Sequence, residues 1–161
     1  MAQQKKYEFV PGDEKAIAPG RTVKRIRALI AIAALGVAPG ELGGYIESES
    51  NLRVSGDAWV SGNARVSGNA RVYGDARVYG DARVESQTDW LLVGPAKSSG
   101  RFTTAYRDTK IGVRVSCGCF TGTAQEFSAQ IEATHAGNQQ HLQQYRLFCQ
   151  LIAFSFDIQP A

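Results

Sequence analysis

The second half of the chain carries arginines, aromatic residues and threonines whose chemistry suits a nucleotide. Arginine forks match the oxygens of a phosphate group, and tryptophan and tyrosine rings can stack on a base. A helix that begins at Thr123 would also present free backbone N–H groups to an anion. The predicted ligand-binding residues are Trp90, Arg101, Tyr106, Arg107, Arg114, Thr121 and Thr123.

These residues also have a purely structural interpretation. Trp90 and Tyr106 would then belong to a hydrophobic core, and Thr123 would only cap a helix. The arginines would be solvated side chains on the surface. The sequence leaves both interpretations open.

Cysteines and histidines offer a second kind of chemistry, because Cys117, Cys119, Cys149, His135 and His141 could be zinc ligands. Zinc sites favour Cys-x2-Cys spacing, however, and Cys-x-Cys is awkward for one tetrahedral ion. A nucleophilic pair of Cys117 or Cys119 with His135 lacks an evident third residue to orient the histidine. We therefore expect structural cysteines, no metal, no cofactor and no catalytic residues. A role of the cysteines beyond packing is left open.

The elements that would position these residues begin with a repeat of six residues in the middle of the chain. Each repeat has a valine, a glycine two residues later and an alanine four residues later. Valine and alanine have the same parity and face inward, while Gly-Asp or Gly-Asn suits a turn. The valines are Val54, Val60, Val66, Val72, Val78 and Val84, and the alanines are Ala58, Ala64, Ala70, Ala76 and Ala82. This period predicts a short left-handed parallel β-helix with three repeats in each coil.

The outward positions of the repeat predict an interaction face. Three repeats per coil would place Arg53 beside Arg71, Trp59 beside Arg77, and Arg65 beside Arg83. The predicted interaction face consists of Trp59, Arg65, Arg71, Tyr73, Arg77, Tyr79 and Arg83.

The repeat register extends backwards to two degenerate repeats, residues 42–47 and 48–53, which are called the worn repeats below. Leu42 falls in a valine position, and Ile46 and Leu52 fall in alanine positions. A coil this short has two open ends, so it needs caps or partners. Residues 1–41 would form an N-terminal β cap with a strand over residues 7–10, closed by a turn at residues 11–13, and a second strand through Ile26 and Leu29.

The residues after the repeat predict a small α+β module. Alternating segments at residues 90–93, 101–107 and 111–117 predict an antiparallel sheet. Thr123 and Glu126 form a capping box that starts a helix, and a second helix is expected over about residues 139–154. The fold class is therefore mainly β, with a cap over 1–41, a β-helix over 42–86 and a βββαα module over 87–161.

Composition narrows the function classes. The net charge of +3 is mild, and aspartates alternate with the arginines of the repeat, so we do not expect nucleic acid as a partner. The chain starts with polar residues rather than an apolar signal segment, and the apolar residues 28–38 are too few to span a bilayer. Three cysteines in this context indicate a cytoplasmic protein without a membrane partner.

Four segments resemble small accessory proteins encoded by tailed phages and prophages. They are residues 20–29 (GRTVKRIRAL), 40–48 (GELGGYIES), 104–108 (TAYRD) and 115–123 (VSCGCFTGT), separated by the hexapeptides. The resemblance covers nearly the whole chain and implies a protein that acts inside an infected bacterial host. Such genes often blunt host immunity by binding an immune protein or by sequestering a nucleotide signal.

We therefore expect a non-enzymatic binding protein that antagonises host defence by sequestering a small nucleotide. The first alternative is an inhibitor that binds a host immune protein through the flat faces of the β-helix. The second alternative is a hexapeptide acyltransferase, although those enzymes use a histidine base and the repeats contain none. Open coil ends and flat sides favour a homo-oligomer, either a dimer or a trimer.

Overall fold

The computed structural model describes residues 2–159, and the chain divides into two compact units, Met1–Gln87 and Thr88–Ala161. The protein is mainly β, with two helices near the C-terminus. The outermost positions of the predicted modules, Met1, Pro160 and Ala161, lie outside the described residues.

The N-terminal unit begins with an antiparallel hairpin of strands β1 (Tyr7–Ala18) and β2 (Arg21–Ala28). Strand β2 also pairs with β3 (Leu42–Ile46). The prediction of a turn at residues 11–13 was wrong, because β1 continues through them. The pairing register shifts between Phe9 and Glu14, where residues 10–13 lie opposite Arg25 alone, so a wide bulge absorbs the segment with Pro11 and Gly12.

Four two-residue strands follow at the predicted repeat positions: β4 (Trp59–Val60), β5 (Arg65–Val66), β6 (Arg77–Val78) and β7 (Arg83–Val84). Strand β5 lies between β3 and β7 in parallel pairing, and β4 pairs with β6. Trp59 is the partner of Arg77, and Arg65 is the partner of Arg83. Stacked positions are thus three hexapeptides apart, as predicted.

Packing explains the residue types of the repeat. The five valines from Val60 to Val84 and the five alanines are completely buried, so both inward positions are confirmed. Glycine is required where coils approach closely. Gly56 has a φ of 76°, and a Cβ added there would lie only 2.7 Å from the carbonyl oxygen of Gly74.

The register of the worn repeats was wrong by two residues. Ile46 pairs with Val66 and Leu52 with Val72, so both occupy valine positions, while Leu42 is half exposed. Arg53 therefore does not align with Arg71. Eight residues separate Leu52 from Val60 instead of six. The two extra residues fall in the irregular segment after Leu52, which also leaves Val54 outside the core.

Two side chains at the start of the hairpin, Lys6 just before β1 and Tyr7 in β1, donate hydrogen bonds to backbone carbonyl groups of residues 52–58. The buried ammonium group of Lys6 donates to the carbonyl oxygens of Gly56, at 3.2 Å, and Ala58, at 2.7 Å. The hydroxyl group of Tyr7 donates to the carbonyl oxygen of Leu52 at 2.9 Å. These bonds join the hairpin to the repeat region.

The C-terminal unit is a four-stranded antiparallel sheet with two helices. Its strands are β8 (Trp90–Val93), β9 (Thr103–Asp108), β10 (Gly112–Cys117) and β11 (Phe120–Thr123), in the order β11-β10-β9-β8. Helices α1 (Ala124–Thr134) and α2 (Gln139–Phe156) follow. The predicted βββαα order therefore lacked one strand. Both predicted helices are confirmed, as is the Thr123–Glu126 capping box.

The core of this unit lies between one face of the sheet and the helices. Val113 and Val115 from the sheet pack with Phe127, Ile131 and Phe148 from the helices. This packing holds the turn between β10 and β11 close to the helix ends.

Candidate functional site

A cleft of about 420 Å³ opens in the C-terminal unit. Its walls come from the β10–β11 turn, from α1 and its C-terminal end, from one residue of α2 and from the loop before β9. The lining residues are Arg101, Cys117, Cys119, Phe120, Phe127, Gln130, Ile131, Thr134, His135 and Tyr145. This volume lies within the range of about 300–1,000 Å³ typical of small-molecule sites, whose linings are likewise mostly apolar with a few polar groups.

The β10–β11 turn forms one wall of the cleft. Cys117 and Phe120 are partners in the ladder, so only Gly118 and Cys119 connect the strands. Gly118 has a φ of 58°, a conformation that favours glycine at the first position of such a turn. The guanidinium of Arg101 lies against this glycine, since a Cβ there would be 2.9 Å from Nη1 of Arg101. The turn thus brings both thiols and Arg101 to one wall.

A network of hydrogen bonds fixes the loop that carries Arg101. The backbone N–H of Arg101 donates to Oγ of Ser99, and its carbonyl oxygen accepts from Ala96 at 2.9 Å. Oγ of Ser99 is also 3.3 Å from the hydroxyl oxygen of Tyr145. The N–H of Lys97 donates to Oε1 of Gln144 at 2.8 Å. The loop is therefore tied to α2 on both sides of Ser98.

Four aromatic rings also line the cleft, those of Phe120, Phe127, His135 and Tyr145. The imidazole of His135 stacks on Tyr145 with 4.9 Å between ring centroids and 17° between planes. Phe127 meets Tyr145 edge to face at 6.3 Å, and Phe120 lies 5.3 Å from Phe127. His135 holds its place as the C-cap of α1, where its N–H donates to the carbonyl oxygen of Ile131. Phe127 and Tyr145 are buried, so the half-buried rings of His135 and Phe120 are the ones that can offer a planar surface to a flat ligand.

The charge of the cleft favours an anion. None of its lining residues is acidic. Within residues 2–159 the guanidinium of Arg101 makes no ion pair, so its charge is available to a ligand. A guanidinium offers five N–H donors in a planar fork that matches phosphate or carboxylate oxygens.

Of the seven predicted ligand-binding residues, only Arg101 lines this cleft. Trp90, Tyr106, Arg114 and Thr123 do form one row across the sheet, because each is the ladder partner of the next. Trp90 and Tyr106 are buried, however, and cannot stack on a base. The accessible aromatic platform predicted at these two positions was therefore wrong.

Arg114 is engaged in an ion pair. Its Nε donates to Oδ2 of the buried Asp108 at 2.7 Å. Burial acts to raise the pKa of Asp108, but hydrogen bonds from Arg114 and from the backbone N–H groups of Lys110 and Ile111 outweigh it and hold the pKa below its usual value. The Arg114 charge is thus compensated within the fold.

The remaining three predicted residues lie elsewhere. Arg107 stacks over the ring of Phe156 at 5.1 Å and, with Thr123, lines a separate depression of about 200 Å³. Thr123 accepts a hydrogen bond from the N–H of Glu126 at 3.1 Å, as a cap does. Thr121 is exposed on β11.

The cysteines differ in their surroundings. Cys119 is exposed and Cys117 half-buried in the cleft, while burial raises the pKa of Cys149 to about 11. In the part of the chain that the structure describes, cysteine, histidine and acidic side chains nowhere gather in a group of three that could hold a metal ion.

The predicted interaction face is interrupted. Trp59 was expected to point into solvent, but it is only 1% exposed. Its indole lies close to Gly43 and Ile26, since a Cβ at Gly43 would be 2.8 Å from Cζ2 of Trp59 and 2.7 Å from Cγ1 of Ile26. Trp59 therefore belongs to the core of the N-terminal unit, and its assignment to the face was wrong.

Arginines of this face bond to backbone carbonyl groups or are partly covered. Arg77 donates to the carbonyl oxygen of Ala34 at 3.1 Å, and Arg83 donates to that of Ala82 at 2.8 Å. Arg65 is half-buried. Tyr79 is also half-buried, and burial raises the pKa of its phenol. Arg71 and Tyr73 are the members that remain well exposed.

Sequence reasoning missed Tyr145, Phe120 and Phe127 as site residues, and it weighed His135 only as a metal ligand or base. A signal for Tyr145 was present, because it lies on the same helix face as buried Leu142 and Phe148. That spacing marks a core face, and it does not distinguish a ring that borders a cleft from one buried inside.

Comparison with known proteins supports the character of the repeat region. A family model described as the YdcK beta solenoid repeat matches residues 58–74 and 64–78. The chain thus contains a β-solenoid-like region. No curated protein matches the chain. Within residues 2–159, no helix combines the length and apolar character that a membrane span requires.

Proposed function

We propose that this protein binds a small nucleotide-like anion in the C-terminal cleft and sequesters it without chemical change. The observation that carries the proposal is the position of Arg101, a cation without an acidic partner in the described chain, at one wall of an aromatic cleft that has no acidic lining residue. Arg101 would hold a phosphate, and a base would lie against the half-buried rings of His135 and Phe120.

The size of the cleft limits the ligand. A volume of about 420 Å³ is in the lower half of the range of about 300–1,000 Å³ for small-molecule sites, which suits a ligand about the size of one nucleotide. Because the loop of Arg101 is tied to α2 through Ser99 and Gln144, little ordering is needed on binding. A rigid site of this kind supports retention of a ligand.

In its biological setting, we propose that the protein comes from a phage and acts in the cytoplasm of the infected host. Removal of a nucleotide immune signal would then prevent activation of a defence protein. The phage-like segments and the position of Arg101 in a cleft without acidic lining residues support this role. We also propose that the repeats wind as a left-handed coil, since six-residue periods with buried valines are typical of that winding.

Calorimetric titration with a panel of cyclic and ADP-ribose-derived nucleotides tests the ligand. We expect at least one member to bind and Arg101→Ala to weaken binding by about 10–100-fold, because a charge-assisted hydrogen bond contributes about 1.5–3 kcal/mol. Arg107→Ala is the matched control, since Arg107 lies outside the cleft. Absence of binding by the whole panel, or equal affinity of wild type and Arg101→Ala, contradicts the proposal.

A host immune protein is the second candidate partner, and the exposure of Arg71 and Tyr73 on the repeat region favours it. Tyrosine and arginine are enriched among residues that dominate protein interfaces. Capture of one stoichiometric host protein by wild type, and its loss with Tyr73→Ala, would distinguish this candidate from nucleotide binding.

A further inference from the structure

Helix α2 has an apolar stripe that faces solvent. Leu147 is 52% exposed, Leu151 is 41% exposed and Phe154 is 84% exposed. Their spacing of four and three residues places them on one side of the helix, opposite the side that carries Leu142, Tyr145 and Phe148 into the core. Such contiguous apolar surface marks an interaction site more often than a single exposed leucine does.

The side of α2 that carries the stripe has uncharged polar residues around it. Gln140 and Gln143 lie seven and four residues before Leu147, and Gln150 lies three residues after it. All three are on the side of the helix that carries the stripe. Arg146 is the only charged residue of α2, and its guanidinium bonds to both carboxylate oxygens of Glu132 on α1. Within α2, a charged partner therefore finds no free complementary group beside the stripe.

We propose that the occupant of the α2 stripe is the α2 stripe of a second copy of this chain. A symmetric dimer uses one patch twice, so the patch must be compatible with itself. An apolar stripe meets itself without charge repulsion, and glutamine amides both donate and accept hydrogen bonds. This interface goes beyond the proposed nucleotide site and does not depend on it.

The stripe also indicates the arrangement of the two helices. Antiparallel packing places Leu151 beside its own copy at the twofold axis and Phe154 opposite Leu147 of the other chain. Parallel packing would instead align the two helix dipoles, which is unfavourable. A helix of 18 residues is about 27 Å long, and the stripe occupies only its second half. The interface is thus smaller than the roughly 1,200–2,000 Å² of stable complexes, and the dimer dissociates on dilution.

Sedimentation velocity over a range of protein concentrations tests this interface. We expect a monomer–dimer equilibrium in the micromolar range for wild type and at least tenfold weaker association for Phe154→Ser. Because Phe154 is already exposed, this change leaves the core intact. Leu42→Ser is the control, since Leu42 is also an exposed apolar side chain but belongs to the other unit. A wild type that stays monomeric throughout, or a Phe154→Ser variant that associates like wild type, overturns the proposal.

Oxidative cross-linking tests the antiparallel arrangement separately. In a Cys119→Ser background, Leu151→Cys should form a disulfide with its own copy, while Leu147→Cys should form far less. More efficient cross-linking through Leu147→Cys than through Leu151→Cys contradicts the twofold axis at Leu151.

Discussion

The arginines of this protein differ in what their guanidinium groups contact. Arg114 bonds to the buried Asp108, and Arg146 bonds to Glu132, so their charges are compensated by the fold. Arg101 lies against Gly118 in a cleft without acidic residues. Residue type alone does not separate these roles. The acidic partner, or its absence among the described residues, decides which arginine is available to a ligand.

Lys6 provides a prediction about stability and pH. Burial of its ammonium group lowers the pKa to about 8, although Asp57 acts to raise the pKa. The unfolded chain keeps this proton up to about pH 10.5, the ordinary value for lysine. Between these two values the unfolded state binds more protons, so the free energy of unfolding rises with pH. We expect a rise of about 2 kcal/mol between about pH 7.5 and about pH 9.5 from this residue.

Urea unfolding of wild type and Lys6→Met at the two pH values measures this contribution as a difference. The difference between the two proteins cancels the contributions of other titrating groups. Tyr7 is one of these groups: burial raises its pKa to about 12, so it lowers the free energy of unfolding only above about pH 10. Lys5→Met is the control, because Lys5 is an exposed neighbour that pairs with Glu49. An identical pH dependence in wild type and Lys6→Met would contradict the role of Lys6.

Among the secondary-structure elements, helix α1 provides the next prediction. Thr123→Ala removes the hydroxyl that accepts a hydrogen bond from the N–H of Glu126. We expect a loss of about 1 kcal/mol in the free energy of unfolding, measured by urea and circular dichroism at the helical signal. Thr121→Ala is the control and should change stability by less than about 0.5 kcal/mol, because Thr121 is exposed on β11. Equal losses in both variants would show that capping is not the cause.

Local patterns predicted the elements that depend on local physics. The capping residues of α1 are three positions apart, so their reciprocal bonds follow directly from the sequence. The inward valines and alanines follow from the parity of the repeat. The error in the worn repeats arose because Ile46 and Leu52 suit either inward position. Only their partners Val66 and Val72 in the next coil identify the correct one.

Strand β11 could not be predicted in the same way. Phe120 to Thr123 contains a glycine and runs directly into α1, so it has neither the length nor the alternation of a strand. Its pairing with β10 depends on the two-residue turn at Gly118 and Cys119. That turn also forms a wall of the cleft, and missing the strand therefore meant missing the site.

For the whole molecule, the limits of sequence reasoning at the site have a physical cause. The cleft joins residues from Arg101 to Tyr145, which are far apart in the chain and carry no shared spacing. The sequence predicted an arginine-rich sheet and an anion, but strand alternation divides the predicted residues between the two faces of that sheet. Trp90 and Tyr106 are buried in the row that they form across the sheet, while the cleft is lined mainly by residues from the β10–β11 turn and the helices.

Native mass spectrometry of the protein purified gently from bacterial cells tests the central claim most directly. We predict that each wild-type chain carries an additional mass of a few hundred daltons, that of one small nucleotide, and that Arg101→Ala prepared in the same way carries none. A dimer formed through the α2 interface would have twice the protein mass and twice the ligand mass, so the ratio of ligand to chain would stay the same. Wild-type chains without added mass, or the same added mass in Arg101→Ala, would contradict nucleotide binding in the C-terminal cleft.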